Sequence, residues 1–331
     1  MELVNNRVKK IIFVKDLLRT ESVEGMEILE PFVLKDIKYS SNANGNKWQI
    51  LTLEDITGVM SAKIWVENIR PEYENYKGEV VLVRGKVTVY EGKPDLAIMQ
   101  MQPILNYFVE DYKKSLDEDT AEMYRCMIKN QINKTSENYK QMLSAVFTDE
   151  VLEKMSVCPA DVFNHHCYYG GLLEHTYDVL MQVIVVGRGL NQDLLIAGAL
   201  LHDIGVIESI CLKGLVFENT YLGRFVGSNQ LSVAKTLKQA SRYLISEEEI
   251  ATLVNIVSAS HEQSPIGPAT KEAIVVKNCN KISIENGIYD ATFEEFDKKY
   301  VGNKVDVLYS NRLEAPLLRR KDVKLYDDYE K

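Results

Sequence analysis

Apolar and polar residues alternate in short bursts through the first third of the chain and then change period. Between about Met26 and Pro103 the bursts are EILEPFVLKDIKYS, NANGNKWQILTLED, ITGVMSAKIWVEN and GEVVLVRGKVTVYEGKPDLAIMQM. They are rich in β-branched and aromatic residues at the two-residue period of strands with one buried face. The last burst divides at Glu91-Gly92, which brings the count to five strands. Asn44-Gly45 supplies the positive φ of a tight hairpin, and Thr57-Gly58 and Glu91-Gly92 are expected to turn the next two.

From about Val109 the period lengthens to three and four residues, the spacing of amphipathic helices. The segments are DEDTAEMYRCMIKNQIN, SENYKQMLSAVFTDEVLEKM, GLLEHTYDVLMQVIVVGRGL, DLLIAGALLHDIGVIESI, SVAKTLKQASRYLI, SEEEIATLVNIVSASHE and TKEAIVVKNCNKISIENGIYDA. Ser246 with Glu249 reads as a capping box and Thr270 as an N-cap. No internal repeat is visible. Closely spaced strands, with the polar stretch ENIRPEYENYKGE between the third and fourth, fit a small barrel of the OB type. The expected fold class is multidomain α and β: an N-terminal five-stranded OB-type barrel followed by an all-α helical bundle. A chain of 331 residues suits two cores. The expected bounds are 1–108, 109–315 and a charged C-terminal tail, 316–331, whose Arg319, Arg320 and Lys321 are solvated.

Composition changes this picture little. The chain is 46% hydrophobic and 26% charged, ordinary for globular protein. The N-terminal run MELVNNRVKKIIFVKDLL is broken by Lys15 and Asp16, so neither a signal peptide nor a membrane span is expected and the location reads as cytoplasmic. Five scattered cysteines without a CxxC pair argue against disulfides and thiolate zinc, and are expected to be buried free thiols. A net charge of −9 repels phosphate, so affinity for nucleic acid has to come from a local patch. Residues 1–105 are nearly balanced, with 14 basic and 15 acidic side chains, and most of the acidity lies beyond them.

The chemistry concentrates in the second half. His165, His166, His175 and His202 crowd together, and Asp203 follows His202 within the apolar run ALLHDIG. Burying an ionisable pair there costs several kcal/mol unless it is paired or metal-bound. Imidazole nitrogen and carboxylate oxygen suit a divalent ion that activates water for attack on phosphorus. An isolated HD dipeptide is more often a core hydrogen bond.

The surrounding residues shift that balance. NHHCYYGGLLEHT, followed about thirty residues later by AGALLHDIG, resembles the HD-domain signature of the YhaM family of 3'-to-5' exoribonucleases. Those proteins carry an N-terminal OB-type domain, and GNKWQILTLEDITGVMSAKIW is similar to its second and third strands. The resemblance covers roughly residues 20 to 300 and makes the helical half an HD-domain bundle. It implies that His175, His202 and Asp203 ligate metal, with His166 and its neighbour His165 close to the site or the scissile phosphate. Catalysis falls to His202, Asp203 and His166. Against the family pattern, Val206 replaces the lysine of HDxGK, Gly227-Ser228 a Gly-His pair, Ser260-His261 a His-His pair, and Asn280 and Ser283 two aspartates. What is left is His175, His202, Asp203 and His261, with Asn280 as a fifth contact. Such a set suits one divalent ion (manganese, zinc or magnesium) or none, and not two.

In the barrel, Trp48, Trp65, Phe32 and Tyr90 are candidates for base stacking and Lys47, Lys63, Arg84 and Lys86 for phosphate contacts, weighed against strand aromatics as barrel core. Two-residue spacing puts Lys63 with Trp65, and Arg84 with Lys86, on shared faces. Two functional readings follow. One is a metal-dependent phosphodiesterase resembling 3'-5' exoribonucleases, acting on single-stranded nucleic acid, RNA ahead of DNA. The other is a catalytically impaired HD/OB protein that binds nucleic acid or a nucleotide in a regulatory role. A hydrolase of small nucleotides leaves the barrel without a role. The resemblance also implies self-association, which no heptad run argues independently.

Overall fold

The computed structural model describes residues 2–4, 7–19, 24–41, 47–90, 93–213, 215–262, 264–300 and 305–319. The Asn44-Gly45 and Glu91-Gly92 turns and the Tyr90 side chain lie outside these described parts. A short antiparallel ribbon, β1 (Glu2–Val4) with β2 (Arg7–Lys9), leads into helix α1 (Val14–Arg19). Five strands follow: β3 (Glu27–Ser41), β4 (Lys47–Asp55), β5 (Gly58–Trp65), β6 (Val80–Tyr90) and β7 (Lys93–Pro103). They close into a barrel in the order β3-β4-β5-β7-β6, antiparallel throughout except where β5 meets β7. This is the five-stranded OB-type barrel that the alternation predicted. The alternation shows most plainly on β5, where Met60, Ala62 and Ile64 enter the core while Ser61 and Trp65 face outward. Between β5 and β6 two 3-10 turns, Val66–Asn68 and Pro71–Tyr76, cover the barrel and insert Tyr73.

The β4–β5 turn departs from expectation. Its two residues are Ile56 and Thr57; Gly58 already lies in β5 without a positive φ. A side chain shapes it instead. Fully buried Asp55 accepts from Thr57 N at 2.8 Å and Thr57 Oγ1 at 2.6 Å, and its other oxygen accepts from Val14 N at 2.7 Å, the first residue of α1. Lys10 Nζ is 3.4 Å from that oxygen, donates to Pro31 O and lies 3.5 Å over the Phe32 ring. Phe32 is therefore barrel core and not a stacking platform.

The helical half comprises α2 (Glu118–Ile132), α3 (Glu137–Val146), α4 (Asp149–Met155), α5 (Gly171–Val186), α6 (Gln192–Leu201), α7 (Val206–Ser209), then a hairpin of β8 (Ile210–Lys213) and β9 (Val216–Asn219). There follow α8 (Tyr221–Phe225), α9 (Ser228–Ala240), α10 (Glu247–Ala259) and α11 (Lys271–Lys299), and finally a hairpin of β10 (Val307–Ser310) and β11 (Ala315–Leu318). Side-chain caps set the starts: Thr148 splits α4 from α3, Ser246 and Glu249 close a capping box on α10, and Thr270 caps α11. The two hairpins add strand to a half whose pattern read as helix alone. The tail also differs at its beginning. Ala315–Leu318 pairs with β10, and Arg319 makes a bidentate contact with Asp297 at 2.7 and 2.8 Å. Of the five free cysteines only Cys279 is buried; Cys126, Cys167 and Cys211 are exposed. Among the described residues no helix is long and apolar enough to cross a membrane.

Barrel and helices share a third core. Val33 and Val80 of the barrel pack with Tyr112, Tyr169 and Leu215, the last at the tip of the β8–β9 hairpin and donating its N–H to Gly78 O at 3.1 Å. The segment leading out of the barrel is laced to the loop before α5. Leu116 N donates to Tyr169 O, and Tyr169 N to Lys114 O.

Replacing Asp55 removes the acceptor for the turn and for α1 and strands a buried ammonium. Asp55→Ala should cost about 3 kcal/mol or more in urea unfolding, against a few tenths for an exposed change such as Lys38→Ala. Burial pulls the Lys10 ammonium down to about 8, although Asp55 and Glu30 oppose the shift. Above pH 8 the folded chain releases a proton that the unfolded chain keeps until near 10.5, so stability should climb between pH 8 and 10. The climb should flatten in Lys10→Met; an identical pH profile in that variant would refute the assignment.

Candidate metal centre

Three elements bring the HD residues together. His175 stands on the second turn of α5, His202 caps the C-terminus of α6, and Asp203 follows in the turn before α7. The expected helix through ALLHDIG thus ends at Leu201, and that ending turns Asp203 back toward α5. Imidazole nitrogens of His175 and His202 and a carboxylate oxygen of Asp203 all lie within 4.8 Å of one another. His175 and His202 are fully buried and Asp203 nearly so.

Hydrogen bonds fix the rings. His202 Nδ1 is 2.7 Å from the Ala199 carbonyl, which can only accept; Nδ1 therefore carries the hydrogen and Nε2 a lone pair. His175 Nδ1 meets the Ser283 hydroxyl of α11 at 3.0 Å. The two Nε2 atoms face each other at 3.1 Å, and Asp203 Oδ2 is 3.4 Å from both. On the other side His261 Nε2 approaches Asp203 Oδ1 to 3.1 Å, out of line for a hydrogen bond. Asn280 on α11 is completely buried; its amide N–H donates to Ser260 O at 3.0 Å, while Oδ1 has no partner. Asp203 Oδ1, His261 Nε2 and Asn280 Oδ1 are thus buried polar atoms without hydrogen bonds. Orphaned atoms of this kind are rare unless an ion or water satisfies them. The donor set of imidazole nitrogen, carboxylate and amide oxygen fits a divalent metal.

The electrostatics agree. Burial pushes the Asp203 carboxyl up, but the electrostatic pull of His202 and His261, together with the close approach of His175, holds it well below the usual carboxylate range. Burial drives His175 down to about 4 despite Asp203. His261 is raised, because Asp203 outweighs the opposing effect of burial.

His165 and His166 flank this centre, both nearly buried and pushed by burial down to about 3. Their Nδ1 atoms are 3.3 Å apart, and their rings lie 5.1 and 5.3 Å from that of His175. His166 has a left-handed φ of 47°, unusual outside glycine. Two glycines make room for it. A Cβ on Gly171 would stand 2.0 Å from His166 O, and one on Gly287, in the middle of α11, 2.8 Å from its ring. Gly287 escaped the sequence reading; a glycine inside a 29-residue helix, costing about 1 kcal/mol, was its signal. Val206, at the family's lysine position, is buried in the helical core.

On the barrel, Trp48 and Trp65 are directly paired across β4 and β5 with ring centroids 6.0 Å apart at 54°. Lys63 lies 2.9 Å from Asp95 and is mostly covered. Arg84 and Lys86 are exposed on β6, and Lys86 joins Lys63 through Ala97 in one row across three strands. The structure therefore gathers His175, His202, Asp203 and His261 at one point with Asn280 beside them. It places Trp48, Lys63, Trp65, Arg84 and Lys86 apart, on the barrel exterior.

Residues 172–285 match the model of the HD domain. Across the longer chain, the 3'-5' exoribonuclease YhaM of Geobacillus sp. (strain WCH70) is 30% identical over 278 residues, 80% of this chain and 84% of that protein. The YhaM enzymes of Oceanobacillus iheyensis and Bacillus subtilis (strain 168) are 26% and 24% identical, covering 73% and 82% of this chain and 78% and 88% of theirs. A match of that extent, running through barrel and helices alike, makes this chain a member of the YhaM family.

Proposed function

We propose that the chain is a metal-dependent phosphodiesterase that shortens single-stranded nucleic acid from the 3' end, RNA in preference to DNA. The observation carrying this reading is the convergence of two imidazole Nε2 atoms and a buried carboxylate on one point, with three more buried polar atoms unpartnered around it. His175, His202, Asp203 and His261 would hold one ion, Asn280 Oδ1 adding a neutral oxygen. When bound there, a divalent metal polarises a phosphoryl oxygen and makes water acidic enough to attack it. The protein does the rest in advance. Ala199 O and Ser283 Oγ set both rings before any ligand arrives, and Asp203 supplies the negative charge. His165 and His166 stay neutral at pH 7; one Nδ1–H is shared between the two rings, so one ring keeps its Nε2–H as a donor for the phosphate, which is the role assigned to His166. Trp48 and Trp65 would stack bases while Arg84 and Lys86 meet phosphates; Lys63 must first leave Asp95.

A specific observation favours the alternative of a binding protein with impaired hydrolysis. Buried Val206 and neutral Asn280 supply no charge at two positions where the family pattern has an ionic group.

Metal analysis and a 3'-end shortening assay with added manganese decide between the two. In the hydrolase reading, His202→Ala and Asp203→Asn lose bound metal and shortening together while circular dichroism stays native. Manganese at about 100 times its Kd should also stabilise the wild type by roughly 2.7 kcal/mol and neither variant. Turnover that persists in either variant rejects it. Strand binding has its own test. Trp65→Ala should weaken affinity about 5- to 150-fold and Lys86→Ala should reduce the salt slope by about 0.7, both with chelator present. Affinity that collapses on chelation would move the binding site off the barrel.

A further inference from the structure

Tyr221 and Phe225 stand one turn apart on α8, 83% and 82% exposed, with ring planes within 3° of parallel and centroids 6.4 Å apart. Large aromatic rings ordinarily contribute to a core, so two held open to solvent on one short helix need a cause. The helix itself is firmly seated. Thr220 caps it by accepting from Gly223 N at 3.0 Å and donates its hydroxyl hydrogen to Glu208 O at 2.8 Å. Gly223 sits so close to α7 that a Cβ would be 2.1 Å from Ser209 O. Just beyond the helix, the carbonyl of Ser228 lies against Gly205, where a Cβ would be 2.2 Å away. Both close approaches are to the segment that follows Asp203, so the helix carrying the ring pair is held against α7 and the turn before it.

Between the rings in sequence, Arg224 is exposed, donates only Nε–H to Asn219 O at 3.2 Å, and meets no carboxylate among the described residues. A nucleotide presents a flat π face and a phosphate, which is what this group can receive. The centroid separation is close to twice the roughly 3.4 Å spacing of stacked bases. Trp48 and Trp65, tilted by 54°, lack that parallel geometry. We propose that Tyr221 and Phe225 form a base-stacking subsite for single-stranded nucleic acid on the helix packed against the segment that follows Asp203, with Arg224 taking the adjoining phosphate. The subsite rests on the nucleic-acid reading above and gives the helical half its own grip on the strand.

The test compares wild type with Tyr221→Ala/Phe225→Ala by fluorescence anisotropy on a labelled short oligoadenylate, with and without one abasic unit near the 3' end. Affinity should fall about 5- to 150-fold in the double variant, as for one lost stacked base. The abasic unit should cost the wild type a similar factor and the variant nothing, and Phe225→Trp should retain full affinity. Manganese bound per chain should be equal in both proteins, so that a loss of affinity reports the rings and not the metal centre. Equal oligoadenylate affinities, or none in the wild type, overturn the subsite. Equal affinities with a smaller sedimentation coefficient in the variant overturn it too, and assign the rings to contact with a second copy of the chain. A wild type that binds the strand but does not shorten it with manganese ends the hydrolase reading and leaves the abasic comparison to decide the subsite.

Discussion

An ionised carboxylate cannot be buried among lone pairs without something positive to hold it, and the helical half is organised around that constraint. Asp203 sits where α5, α6 and the residues after α10 each deliver one imidazole, and α11 delivers an amide. The supporting contacts come from further out: a main-chain carbonyl for His202, a hydroxyl for His175. Apart from the adjacent pair His202 and Asp203, only Ala199 lies near its partner in sequence. The centre exists only when the bundle is assembled, and packing among Leu172, Leu200, Ile256 and Val276 brings those helices together.

Much of this was legible in advance, for identifiable reasons. Strands declared themselves because barrel interiors demand strict alternation, and helix starts because Ser246 and Thr270 supply caps that few other residues can. His202 and Asp203 stood out as an ionisable pair on an apolar run, whereas His175 and His261 were named as ligands only through the family resemblance. What escaped depends on contacts across the fold. The β4–β5 turn relies on Asp55, which a dipeptide rule does not consult. Phe32 and Trp65 are both strand aromatics, and only closure of the barrel puts one inside and the other out. The hairpin of β8 and β9 carries too few residues for a period to register, and cysteine burial depends on helix orientation that composition does not record.

The barrel and the helices are two cores with a third between them. Leu215 reaches from the hairpin after α7 into that shared cluster, so the segment that begins with Asp203 ends against the barrel. That apolar packing and the Leu215–Gly78 hydrogen bond tie the barrel to the segment that carries Asp203.

The lacing of Lys114 and Leu116 to Tyr169 changes what a boundary means here. A line drawn between barrel and helices at the change of period looks like a place to cut. Yet the strip of backbone on the helical side of that line is the edge against which the His165–His166 loop is hung. A fragment beginning at α2 would keep every histidine and lose the rail that steadies two of them. Modularity in the pattern of residues and modularity in the folded object are different properties, and this joint is where they part.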